Sequence, residues 1–358
     1  MAVNGMVTVL VTEAEPFGQY ADPTGSPLEA FGELRRVVWS DATLPAEREA
    51  SLDAALPGAD ALVFSPFAHR TIPQFTSERW NLGSRLKTIA GTFDHRVGSF
   101  LDLGEASRRG VIVIDTSRSM TPTVAEFTLA MILNVLRDIP ASIQLVRDSG
   151  WKDGLWDQPG FVYGDLTGRR VGLAGYGSIN RRLAEFLVPF HCEMATYDPF
   201  VLDEDLAALT IRRVDSLPEL ARTSEIFVVG IPPTPATQGI VDAETIAALP
   251  TGAAFVLVTR MAVVEQEPLW NRLAAGEIRA AIDVFEPEPP PADAWFRTSP
   301  LVLPTPHIAG GTGYCMRRCF LTACAGAVDV LAGRSPMYAV NAFETDLYLG
   351  KPAGAAHS

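Results

Sequence analysis

The chain has 358 residues, 47% of them hydrophobic and 20% charged, at a mean hydropathy of +0.15. At roughly 100–200 residues per domain this is core-forming material for two domains, which excludes a mostly disordered, collagenous or disulfide-scaffold chain. Lys and Arg number 29 against 42 Asp and Glu, a formal net charge of −13, so the basic surface demanded by a phosphate backbone is missing and no nucleic-acid partner is expected.

Met1 to Thr12 has no Lys or Arg ahead of its apolar stretch, so it does not read as a signal peptide. Its alternating Val7, Val9 and Val11 read as an opening strand. Further apolar, β-branched runs follow at Ala61–Phe64, Thr88–Ala90, Val111–Ile114, Arg170–Ala174, Glu193–Tyr197, Glu225–Gly230, Ala254–Val258, Arg279–Val284 and Leu301–Leu303. Helical patterns separate them. Strands apolar on both faces and alternating with helices predict an α/β protein with doubly wound parallel sheets. The longest helical pattern runs from Val124 to Val146, with Thr121 or Thr123 as its cap and Pro140 as a kink or break. A helix this long commonly joins two domains, so one boundary is placed near residue 119. Glu286–Pro291 (Glu-Pro-Glu-Pro-Pro-Pro) reads as a stiff polyproline connector, and Lys351–Ser358 as a frayed tail. No run reaches 18 apolar residues, so no membrane partner is expected. Cys192, Cys315, Cys319 and Cys324 form no C-x-x-C pair and lack accompanying histidines, so no metal site is expected and a reducing, cytoplasmic compartment is.

The strand Arg170–Ala174 leads into Gly175-Tyr176-Gly177-Ser178-Ile179-Asn180 and then a helical stretch, the strand–glycine turn–helix context of a dinucleotide fingerprint. Gly175 permits the tight turn, and Gly177 lets backbone approach a pyrophosphate at the helix N-terminus. Asn180 replaces the third glycine, so its side chain is expected to push the helix away from the strand. Asp198 ends the next strand, 21 residues past Gly177, where a carboxylate hydrogen-bonds ribose hydroxyls and repels a 2′-phosphate. This predicts NAD as cofactor rather than NADP.

Three further groups follow predicted strands. Arg260 has the guanidinium to grip a carboxylate. His307, after Pro304 and Pro306, is a natural acid–base near neutral pH. Glu286 and Glu288 both offer a carboxylate to hold the charge and tautomer of that imidazole, and local sequence does not choose between them.

The run Ala280-Ala281-Ile282-Asp283-Val284-Phe285-Glu286-Pro287-Glu288-Pro289, then Thr305-Pro306-His307-Ile308-Ala309-Gly310, resembles the NAD-dependent D-isomer-specific 2-hydroxyacid dehydrogenases. Leu86-Lys87-Thr88-Ile89, Arg109-Gly110-Val111, Val124-Ala125-Glu126, Gly150-Trp151, Pro232–Thr237 and Val340-Asn341 support it, so the resemblance covers about Leu86 to Asn341. It implies an oxidoreductase that moves a hydride between NAD(H) and a 2-oxo acid/(D)-2-hydroxy acid pair. Arg260 would bind the substrate carboxylate, and His307 would be the acid–base. Glu288, five residues after Asp283, would be its partner, with Asp283 at the nicotinamide carboxamide. The cofactor shell would hold Gly175, Tyr176, Gly177, Ser178, Ile179, Asp198, Ile231, Pro232, Val258, Thr259 and Gly310. The implied fold is an NAD-binding Rossmann domain, residues 120–309, inserted into a discontinuous flavodoxin-like substrate domain, residues 1–119 and 310–358. A homodimer paired through the NAD domain is also implied.

Departures from the family pattern lie where substrate sits. The stretch Ala90–Gly98 replaces a glycine-rich turn whose N–H groups help bind the carboxylate. Leu257 and Met261 stand where Asn and Gly usually flank the arginine, and Ser117–Met120 is atypical. The substrate pocket is therefore expected to be rebuilt, with His95, Arg96 or Arg118 meeting a second polar group. The competing reading is an NAD(H)-responsive regulatory protein on the same fold.

Overall fold

The structure is a computed structural model and describes residues 6–13, 18–22, 24–30, 33–40, 42–94, 96–151 and 163–341. The chain divides into two compact units: Met1–Met120 with Gly311–Ser358, and Thr121–Gly310.

The split unit holds strands β1 (Met6–Glu13), β2 (Glu33–Ser40), β3 (Ala61–Phe64), β4 (Thr88–Gly91) and β5 (Ile112–Asp115), all parallel in the order β2-β1-β3-β4-β5. This is the flavodoxin-like order. Every residue of β3 and β4 is buried, as expected where helices cover both faces. One face packs Phe64, Phe93 and Phe100 edge-on and tilted at 5.1–6.3 Å, beside Trp39 and Trp80. The helix Gly313–Leu331 covers the other, laying Phe320, Ala323, Cys324 and Ala327 on Ala61, Val63, Ala90 and Ile114. Asn341 closes the unit: its side chain accepts from the Val113 N–H at 2.9 Å and donates to the Val111 carbonyl at 2.7 Å. The returning chain is thereby stitched to β5.

The inserted unit holds β6 (Arg170–Ala174), β7 (Glu193–Tyr197), β8 (Arg212–Arg213), β9 (Ile226–Val229), β10 (Ala254–Leu257), β11 (Arg279–Ile282) and β12 (Val302–Pro304). All pair in parallel, in the order β12-β11-β10-β9-β6-β7-β8. The order reverses between β6 and β9, the switch point where Rossmann sheets bind dinucleotides.

Three expectations need correction. The helical pattern Val124–Val146 is broken as expected, but at Asp138, two residues before Pro140: the two helices are Thr121–Arg137 and Ile139–Arg147, and Asp138 sits in the left-handed region at φ 49°. Pro140 lies in the first turn of the second helix, where its missing N–H costs nothing. Thr121 does not cap the first helix; its hydroxyl donates to Ser178 Oγ at 3.0 Å. Glu286–Pro291 is not a free polyproline connector: Glu288 folds back onto the Phe285 N–H, and Arg297 holds the Pro290 and Pro291 carbonyls. By composition alone, Thr116–Arg137 is long and apolar enough to cross a membrane. Within the inserted unit, however, its Val124, Ala125, Thr128, Met131, Ile132, Val135 and Leu136 are buried.

Candidate active site

The glycine turn sits at the end of β6. Gly175 has φ +79°, and a Cβ there would press on Ile231 and the Gly230 backbone at 3.1–3.3 Å, so only glycine fits. Gly177 precedes the helix Ser178–Leu187 and has open space where its side chain would be, which leaves the first-turn N–H groups approachable. Asp198 meets this turn: its Oδ2 accepts the Tyr176 N–H at 2.7 Å and its Oδ1 the Phe200 N–H at 2.8 Å. Arg181 locks the turn from the other side, donating from Nε to the Tyr176 carbonyl at 3.0 Å with its guanidinium 4.8 Å from the Tyr176 ring centroid. The residues present therefore fit a dinucleotide: an open backbone cradle, a helix start and a fixed carboxylate beside it.

Asn180 is accommodated by a different glycine. Its side chain is buried and donates to the Gly175 carbonyl at 2.7 Å. A Cβ on Gly230, at the end of β9, would fall 2.3 Å from Asn180 Nδ2. The room that a third glycine makes in the helix is made here on the neighbouring strand.

Arg260, Glu288 and His307 converge past the ends of β10, β11 and β12. His307 Nδ1 lies 2.8 Å from Glu288 Oε2, and His307 Nε2 lies 3.4 Å from Arg260 Nη1. A guanidinium only donates, so Nε2 is the acceptor in this arrangement and Nδ1 carries the proton given to Glu288. Glu288 Oε1 accepts the Phe285 N–H at 2.9 Å. Partial burial opposes the charge on Glu288. The hydrogen bonds from His307 and the Phe285 N–H, with the nearby charge of Arg260 and that of the imidazole when it is protonated, outweigh it and hold the carboxyl below its ordinary range. Glu288, not Glu286, is thus the carboxylate that meets the imidazole. Arg260 Nη1 also donates to the Thr259 carbonyl at 2.6 Å, which turns the guanidinium toward His307.

Asp283 holds the histidine segment in place. It is fully buried; Oδ1 accepts from Thr305 Oγ1 (2.6 Å) and the Ile308 N–H (3.0 Å), and Oδ2 from the Ala309 N–H (2.8 Å). Its carbonyl takes the His307 N–H at 2.8 Å. These four bonds hold His307 at φ +54°, a conformation a free histidine rarely adopts. Sequence placed Asp283 at the cofactor and missed this anchoring. Its one visible signal was an acid directly after the apolar run Ala280–Ile282.

A family model for the NAD-binding domain of the D-isomer-specific 2-hydroxyacid dehydrogenases matches residues 129–309. The chain belongs to this family. It is 30% identical over 320 residues to D-3-phosphoglycerate dehydrogenase of Mycobacterium tuberculosis, covering 88% of this chain and 57% of that one. To D-3-phosphoglycerate dehydrogenase of Sus scrofa it is 29% identical over 328 residues, covering 87% and 60%. The chain thus spans about three-fifths of the length of these relatives. Among solved structures, the TT0316 protein of Thermus thermophilus superposes with a TM-score of 0.68 at 27% identity, covering 93% of this chain and 99% of that one.

Within the inserted unit of this family member, the remaining sequence-named residues also follow strand ends. Ile231 and Pro232 come after β9, and Ser178 and Ile179 open the helix. Val258 and Thr259 follow β10, with Thr259 Oγ1 donating to the Val229 carbonyl at 3.2 Å. Gly310 is the last residue of this unit. The split unit shows how the loop after β4 departs from the family. Its Phe93 N–H is taken by Asp115 Oδ1 at 3.0 Å and its Asp94 N–H by Ser117 Oγ at 2.8 Å, so side chains occupy the donors that a glycine-rich turn leaves open. Arg96 Nε lies 3.7 Å from Asp94, and the Arg118 guanidinium 5.9 Å from the Tyr338 ring centroid. His95 lies outside the described residues.

Proposed function

We propose that this chain reduces a 2-oxo acid to a (D)-2-hydroxy acid with NADH, or runs the reverse reaction. The observation that carries the reading is His307 held between Glu288 at 2.8 Å and Arg260 at 3.4 Å, on the unit that carries the glycine turn and Asp198. When bound, the nicotinamide supplies or takes up the hydride. Arg260 binds the substrate carboxylate. His307 gives the carbonyl oxygen a proton from Nε2 in reduction and removes the hydroxyl proton with the same atom in oxidation. Glu288 accepts from Nδ1 throughout, which keeps Nε2 facing substrate. Because Glu288 stays ionised below the ordinary carboxylate range, it serves this role across neutral and mildly acidic pH. Asp198, fixed by two N–H donors, selects NAD over NADP.

The split unit is the substrate-recognising domain in this proposal, and Arg260 of the inserted unit is the grip on the carboxylate. The assembly is a homodimer through the inserted unit. In support, the helix Ile139–Arg147 buries no residue among the described part of the chain, and Ile139, Ile143 and Val146 form an exposed apolar stripe at helical spacing, with Trp151 also exposed. A reducing, cytoplasmic location is part of this proposal, on the ground that four cysteines in so long a chain suit a reducing compartment. The test is NADH consumption with a panel of 2-oxo acids, repeated with NADPH, and chiral analysis of the product. Turnover with NADH to the (D)-acid supports the proposal; (L)-product or no turnover contradicts it.

A further inference from the structure

The loop that presents Glu288 has little backbone capacity to hold itself. Of Glu286–Pro291, four residues are proline, so only Glu286 and Glu288 retain an N–H. The loop is held from outside at both ends. At its start, the Phe285 ring stacks on Phe296 at 5.2 Å and 9°, and Phe296 stacks on Trp270 at 4.7 Å and 10°. At its end, Arg297 donates from Nε to the Pro291 carbonyl and from Nη2 to the Pro290 carbonyl, both at 2.7 Å. Phe296 and Arg297 are neighbours on one short turn, Trp295–Arg297, just before β12.

The three stacked rings come from three different segments. Trp270 lies on the helix that follows the Arg260 turn, Phe285 begins the Glu288 loop, and Phe296 precedes the strand leading to His307. The stack thus ties together, on the apolar side, the segments whose polar groups meet in the triad. The Phe285 N–H then transmits that tie to Glu288 Oε1 at 2.9 Å.

We propose that the turn Trp295–Arg297 is a clamp that positions Glu288 against His307, Phe296 acting through Phe285 and Arg297 through the Pro290 and Pro291 carbonyls. Neither residue touches the reacting atoms; both are positioning residues. The inference rests on the function proposed above. A planar fork is needed to hold two carbonyls at once, so Arg297→Lys fails as Arg297→Met does. Phe296→Leu loses the stack, and Phe296→Tyr retains it.

The test is a double-mutant cycle with a substrate-free readout beside it. Arg297→Met and Phe296→Leu each lower kcat about tenfold, with the KM for the 2-oxo acid and the Kd for NADH within about twofold, as expected from a misplaced carboxylate rather than a lost contact to substrate. Phe296→Tyr restores kcat. In a Glu288→Ala background the same substitutions cost less than about twofold, because nothing remains to position. Without substrate, 15N NMR of the His307 imidazole at fixed pH reads the Nδ1–H tautomer as dominant in the wild type and mixed in Arg297→Met. A full tenfold loss persisting in the Glu288→Ala background, or an unchanged tautomer ratio in Arg297→Met, overturns the clamp. A wild type inactive on every 2-oxo acid counts against the proposed reaction instead, and the tautomer ratio still decides the clamp.

Discussion

His69 makes the split unit sensitive to acid. It lies on the short turn Ala68–Arg70 after β3, is 7% exposed, and neither ring nitrogen has a hydrogen-bond partner among the described residues. Burial depresses its pKa to about 4 from 6.5; Asp94 and Asp115 pull it upward, while Arg96 and Arg70 push it further down. Because the folded value lies below the unfolded one, the native ring stays neutral while the unfolded ring takes up a proton as pH falls. The stability present above pH 6.5 is therefore lost progressively down to about pH 4 and no further. At about 1.4 kcal/mol per pH unit, this amounts to about 3.5 kcal/mol in full, of which about 2.5 kcal/mol is lost by pH 4.5. His69→Phe keeps a planar ring, removes the titration and removes two unsatisfied nitrogens, each costing about 1–3 kcal/mol when buried. Scanning calorimetry at pH 7.5 and 4.5 is the assay. At about 2–4 °C per kcal/mol for a unit of this size, the wild type loses about 5–10 °C more than His69→Phe between the two pH values. Parallel losses in the two proteins would refute the reasoning, because they would show that His69 does not titrate between folded and unfolded states.

Three other substitutions test the inserted unit. Gly230→Ala drives a Cβ to 2.3 Å from Asn180 Nδ2, so NADH Kd measured by fluorescence rises about tenfold, and adding Asn180→Ala restores it. Asp283→Asn replaces an acceptor by an N–H donor facing other donors in the His307 segment; kcat falls at least about tenfold and the Tm drops, as checked by kinetics and calorimetry. Arg260→Lys loses the planar fork, so the KM for the 2-oxo acid rises about tenfold or more while NADH Kd stays unchanged, as titration against each ligand reads directly.

Interior strands were legible because they are apolar on both faces. Ala61–Phe64, Arg170–Ala174 and Glu193–Tyr197 stand where the apolar runs place them, and the other runs shift by a residue or two at their ends. The two strands not read from sequence are both sheet edges. β2 carries Glu33, Arg35 and Arg36, and β8 is only Arg212–Arg213; each has a single neighbouring strand and the charge that edges tolerate. The glycine turn and the three polar groups were legible as residue types after strands. Their mutual geometry was not, because Glu288 reaches His307 only through a loop whose shape depends on Phe285, Phe296 and Arg297. Asn180 misled for a similar reason: its space is made by Gly230, which is distant in sequence and adjacent across β6 and β9.

The most direct measurement is NADH oxidation followed by absorbance with the wild type's best 2-oxo acid, compared with His307→Ala, with NADH affinity measured on both. The account predicts a loss of about 10²–10⁴-fold in kcat, as for removal of a general acid–base, with NADH Kd unchanged. Equal turnover by the two proteins would contradict the assignment of His307 as the proton donor, and with it the role given to Glu288.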